Sequence, residues 1–155
     1  MSNRYNNPFA GTDLLAPIDQ RDDYDHYAER TTSRVIDQSP FPRKVDLWFL
    51  GICVAAQDGL EPVDLTSRQT TKFMDGQVLS SDPWRINALM LLALARHEDL
   101  EILTKPRQII AMANGLAAAG VPKVLEMLKE DRHQEPIWNL SEALEQKIKE
   151  AAQAS

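Results

Sequence analysis

The sequence predicts a mainly α-helical domain, an irregular bundle of about six helices with room for one small β-hairpin near residues 70–80. Three observations carry this. Residues 47–56 and 86–95 are almost wholly apolar, and each run is entered through a proline, Pro42 or Pro83, a residue that fits the first turn of a helix. Helices that are apolar all round belong at the centre of a core. Elsewhere apolar residues recur at three- and four-residue spacings between glycine and proline breaks.

Residues 1–20 carry Asn, Pro, Gly and Asp without period, which predicts a flexible N-terminal arm, leaving 21–155 as a single helical domain. Within the arm, Phe9, Leu14, Leu15 and Ile18 are apolar enough to dock on a partner or on the domain itself. Tyr24, Tyr27, Ala28, Thr31 and Val35 trace one face of a first helix over 21–37. Ser39-Pro40-Phe41-Pro42 stops it and starts a second, over about 42–57, which Asp58-Gly59 closes. Residues 60–81 are the least helical. There Asp75-Gly76 separates two short apolar runs, the signal for a hairpin that would have to lie against the helices to persist. Asp82 as N-cap and Pro83 at the first position open a third helix running to about 97. Pro106 opens a fourth, with Ile109, Ile110, Ala113, Leu116 and Ala117 on one face and Gly115 marking close helix packing or a break. Gly120 is expected to end it and Pro122 to begin a fifth carrying Val124, Leu125 and Leu128. The last helix is expected to start at Asn139, whose spacing to Glu142 is that of a capping box.

A chain of 155 residues and 17.5 kDa with 43% hydrophobic residues can bury one core without a metal or disulfides. The net charge of -6 and pI near 5.0 argue against a stand-alone binder of nucleic-acid backbone, which relies on summed positive charge. Cys53 is the single cysteine; set in an apolar helix, it reads as a buried thiol suited to a reducing cytosol. The first residues lack the apolar core of a signal peptide and neither apolar run reaches the length of a membrane span, so the expected location is cytoplasmic and off the membrane.

Clusters with chemical potential are few. Asp22, Asp25, His26 and Glu29 supply oxygen and nitrogen ligands that would make a metal-dependent enzyme, but acids in a first helical turn are also what the helix dipole favours. His97-Glu98-Asp99 reads as a helix end, and His133 has no ligand set beside it. Asp64 with Glu145-Gln146-Lys147 imitates the elements that hold a nuclease magnesium, yet Glu145 and Lys147 fall on different faces of a helix. No Gly-x-Ser-x-Gly elbow is present. The expectation is therefore no catalytic residue, no metal and no cofactor. Seven basic residues, Arg43, Lys44, Arg68, Lys72, Arg85, Lys105 and Arg107, gather near helix starts and could converge on phosphate. Trp138, in a polar stretch, is the tryptophan best placed to touch a partner.

Phe41-Pro42-Arg43 with Val45-Asp46-Leu47, then Gly59, Asp75-Gly76-Gln77-Val78-Leu79-Ser80, Asp82-Pro83-Trp84-Arg85-Ile86, and the 114–120 segment give the middle of the chain, about 41–129, a likeness to a known group. It resembles the small accessory proteins encoded beside prokaryotic DNA phosphorothioation systems. That resemblance implies a setting, DNA modification or anti-phage defence, and no catalytic motif. The expected role is a non-enzymatic accessory or adaptor subunit that binds a protein partner through Phe9, Leu14, Leu15, Ile18 and Trp138. The alternatives are a DNA-contacting module built on the seven basic residues and a metal-dependent enzyme. Oligomeric state is left open.

Overall fold

The computed structural model describes residues 6–28, 39–129 and 135–154. Its elements are β1 (Asp13–Pro17), α1 (Arg21–Tyr27), α2 (Lys44–Gln57), β2 (Thr70–Asp75), α3 (Pro83–His97), α4 (Pro106–Lys129) and α5 (Pro136–Gln153), with 3-10 segments at Ile18–Gln20, Gly76–Ser81 and Leu100–Thr104. The chain is mainly α with one small antiparallel sheet, the class its sequence predicts. Five α-helices and the 3-10 segment Gly76–Ser81 make up the longer helical segments among the described residues.

The core is organised by α2 crossing α4. A Cβ on Gly120 would stand 1.8 Å from the Gly51 carbonyl oxygen, and one on Gly51 would stand 2.7 Å from a Val121 methyl carbon. The two backbones touch, and only glycine permits it. Gly120 therefore does not end a helix as expected. α4 runs unbroken for 24 residues through Pro122. Proline at 122 has no N–H to give the Ala118 carbonyl, the bond an α-helix would make there. The Gln20 side chain supplies it, Nε2 donating to Ala118 O at 3.0 Å. α4 is long and apolar enough to cross a membrane by length and composition, but most of it is buried inside this domain.

Residues 6–20 are a built part of that core, which corrects the expectation of a flexible arm. Phe9 and Leu14 are fully buried, and β1 pairs antiparallel with β2 from Asp13↔Asp75 to Pro17↔Thr70, with an irregularity between Leu14 and Leu15. The strand signal near 70–80 thus appears as β2; its partner comes from the N-terminal segment, while residues after Asp75 turn into a 3-10 segment. Gly76 N donates to Thr12 O at 2.8 Å instead of serving a hairpin turn. On its other edge β1 meets Asn114 of α4. The Asn114 Oδ1 accepts from Leu15 N at 3.0 Å, and its Nδ2 donates to Asp13 O at 3.1 Å. One side-chain amide thereby copies the bonds a neighbouring parallel strand would make and closes the edge. The same Oδ1 accepts from Trp48 Nε1 of α2 at 3.1 Å.

The remaining elements cover this centre. Tyr24 of α1 stacks on Phe73 of β2 with ring centroids 4.9 Å apart. The rest of the expected first helix, including Thr31 and Val35, lies outside the described residues. α2 closes at Gly59, whose φ of 66° is the left-handed conformation anticipated there. α5 starts at Pro136, so Asn139 sits inside its first turn and is buried, not a cap; its Nδ2 donates to Leu128 O at 3.2 Å, tying α5 to the end of α4.

The repair of α4 by Gln20 gives a double-mutant cycle. Gln20→Ala strands a buried carbonyl and is expected to cost about 1–2 kcal/mol in urea unfolding. In a Pro122→Ala background, where the helix supplies its own N–H, the same change is expected to cost less than half as much. Equal costs in both backgrounds would contradict the pairing.

Candidate functional site

Of the residues expected to touch a partner, Phe9 and Leu14 are excluded by burial, and Leu15 is half-buried on the wall of a cleft. Ile18 and Trp138 are exposed, at 42% and 58%. Trp138 is held upright by a bond from its Nε1 to Glu135 Oε2 at 2.8 Å. Leu91 and Leu100 are 66% and 71% exposed, and Trp84, to which the sequence assigns no partner role, is 56% exposed; Ile148, expected on the apolar face of the last helix with Leu140, Ala143 and Leu144, is 70% exposed. Trp84 and Leu91 are seven residues apart on α3 and so lie on one face. A signal existed: α3 carries more large apolar residues than one buried stripe needs.

The seven basic residues do not form an open cationic surface. Arg43 and Arg85 both bond Asp46 Oδ1, at 3.0 and 2.7 Å, and Arg43 also bonds Asp82 Oδ2 at 2.9 Å. Asp46 further accepts from the Arg43 backbone N at 3.0 Å, and these aspartates hold the Arg43 guanidinium above its ordinary range. Arg85 is buried, with its guanidinium 5.1 Å from the Phe49 ring centre and 4.9 Å from that of Trp84. Asp82, expected as the cap of α3, spends its carboxylate on these arginines and makes no cap bond. Lys44 pairs with Asp25 and, with Lys72 and Arg21, lines a pocket of about 200 Å³. Lys72 is pinned between Asp13 and Asp75, whose bonds raise it above its ordinary range. Lys105 pairs with Glu101 at 3.0 Å. Among the described residues only Arg68 and Arg107 of the seven have no carboxylate partner. With aspartates interleaved throughout, the region offers no accumulated positive charge for a phosphate backbone.

The acidic group does not converge either. The Asp22 side chain is open to solvent, Asp25 is engaged by Lys44, His26 packs edge-on against Tyr27, and Glu29 lies outside the described residues. Among the described residues no three His, Cys, Asp or Glu side chains are placed to hold a metal ion. Glu145 pairs with Lys149 and Lys147 with Asp58, so the nuclease-like pair is spent on helix-surface ion pairs.

A cleft of about 570 Å³ lies between the 11–15 segment, the 62–66 segment and the first turns of α4. Both walls are fixed to α4. Asn114 holds β1, and Val63 N donates to Gly115 O at 3.0 Å. Gly115 admits this approach because a Cβ there would stand 2.6 Å from Val63 O. Close helix packing or a break is expected at this glycine; instead α4 is unbroken and the non-helical 62–63 segment makes the close approach. On the rim, Asp64 Oδ1 accepts from Thr66 N at 2.9 Å and Thr66 Oγ1 at 2.6 Å, which holds the carboxyl below its ordinary range. A second groove, lined by Leu50, Cys53, Val54, Leu144 and Ile148, runs between α2 and α5. Cys53, expected as a buried thiol, is exposed there. No family model, curated protein or solved structure matches this chain.

The apolar groove raises the Cys53 thiol above its ordinary range by desolvation, which outweighs the opposing charge of Arg85. A raised folded value favours the neutral thiol in the native state. Its contribution to stability is full below the thiol's unfolded value and is lost as pH rises through the folded one. Maleimide is expected to label the native protein to completion at pH 7.5, more slowly than a free cysteine, with a rate still rising above pH ~8.5. Labelling only after denaturation would contradict the exposed position.

Proposed function

We propose that this protein is a non-enzymatic accessory or adaptor subunit that works by binding another protein through the outer face of α3 and the exposed Trp138. The observation that carries it is Trp84 and Leu91 standing together on one α3 face, both more than half exposed. A face of that kind is costly to leave in water and marks an interaction surface, and tryptophan is the residue most often found at the energetic centre of interfaces. Trp84 is already immobilised, its ring 5.2 Å from Phe49 and edge-on to it, with Arg85 against it. Little side-chain entropy would be lost on binding. The setting, a prokaryotic DNA-modification or anti-phage defence complex, is taken from the resemblance over 41–129. The DNA-contacting alternative is less favoured because aspartates neutralise most of its cations.

The test is affinity capture from the native cells, with nuclease-treated lysates run beside untreated ones. A stoichiometric protein partner that survives nuclease is expected, and Leu91→Glu should abolish its capture. Because Leu91 is a surface position, its Tm should stay within about 2 °C of the parent. Equal capture by the variant, or recovery of only nucleic acid that leaves at higher salt, would overturn the reading.

A further inference from the structure

The cleft on α4 has the build of a small-molecule site and takes no part in the proposed protein contact. Its volume of about 570 Å³ falls in the range of ligand pockets, about 300–1,000 Å³. Leu15, Pro62, Val63, Leu65, Ile110 and Met112 supply an apolar interior. The walls are set before any ligand arrives, since β1 is bonded to Asn114 and the 62–66 segment to Gly115. Such pre-organisation lowers the cost of binding.

The charge at the mouth narrows the ligand. Arg107, on the first turn of α4, lines the cleft, is exposed, and has no carboxylate partner among the described residues, whereas its neighbour Lys105 is paired. The two acids on the rim are already engaged: Asp13 pairs with Lys72 at 2.8 Å, and Asp64 is bonded by the Thr66 amide and hydroxyl. One free guanidinium beside two carboxylates suits a planar, singly charged anion. A phosphate dianion would meet more repulsion and only one cation. Guanidinium and carboxylate also match as a two-bond pair. We infer that the cleft binds a small apolar carboxylic acid, its hydrocarbon on the α4 floor and its carboxylate on Arg107.

The experiment is calorimetric titration of the full chain with decanoate, and with decanamide as the uncharged counterpart. Decanoate is expected to bind one to one and at least tenfold more tightly than decanamide. Arg107→Gln should weaken decanoate at least tenfold and leave decanamide unchanged. Ala111, exposed on the cleft floor, gives a second variant that touches no core contact: Ala111→Trp should abolish binding while the far-ultraviolet circular dichroism stays unchanged. No heat with decanoate, equal affinity for acid and amide, an unaffected Arg107→Gln, or binding that survives Ala111→Trp would each overturn the inference. The last outcome would move the ligand to another groove, such as that between α2 and α5.

Discussion

Asn114 stands where three elements need a hydrogen-bond partner at once. Its side-chain amide serves the backbone of β1 at Asp13 and Leu15 and the indole of Trp48 on α2, all from inside α4, where the residue is 3% exposed. The Trp48 indole is fully buried and the two β1 groups are partly so, and an unanswered buried donor or acceptor costs about 1–3 kcal/mol. No apolar residue could take the position without stranding several of them. One helical turn further along, Ala118 O repeats the arrangement in reverse: there the helix lacks a donor and Gln20 brings it. The N-terminal segment and α4 thus complete each other at two points four residues apart.

From this follows the placement of everything that faces solvent. Anchoring β1 along α4 brings β2 in beside it, and Phe73 then stacks on Tyr24 and fixes α1. The Gly51–Gly120 crossing lets α2 approach close enough for Trp48 to reach Asn114. The cleft is the space left between β1 and the 62–66 segment once both are tied to adjacent residues of α4, Asn114 and Gly115. The exposed face of α3 has a different origin. Arg85 turns inward to Asp46 and Phe49, while Trp84, one position earlier, stands outward with its ring against the Arg85 guanidinium.

The helices were legible because their signals are local. Pro83, Pro106 and Gly59 mark element ends through their own backbone geometry, and the apolar run of α2 states its own burial; that of α3 overstates it, because the helix lies at the edge of the core with Leu91 exposed. What misled were residues whose role is set by a distant partner. Gly120 and Pro122 read as a helix break when considered alone; they sit inside one helix because Gly51 packs on the first and Gln20 bonds the carbonyl left by the second. Phe9 and Leu14 read as an arm because their strand has no partner nearby in sequence, and the pairing to 70–75 crosses more than fifty residues. The basic residues were visible as charges, but the contacts Lys44–Asp25, Arg85–Asp46 and Arg43–Asp82 that neutralise them join separate segments and are not revealed by spacing. The cleft had no sequence signature, since its walls come from three separated segments.

The most direct measurement is amide hydrogen exchange at Leu15, read residue by residue in the native protein. An amide bonded to the buried Asn114 side chain is expected to exchange as slowly as the central amides of α4, opening only with the whole domain. Exchange at the rate of an unprotected peptide would mean that the N-terminal segment is not held by Asn114, and the account of the fold built on that residue would fail.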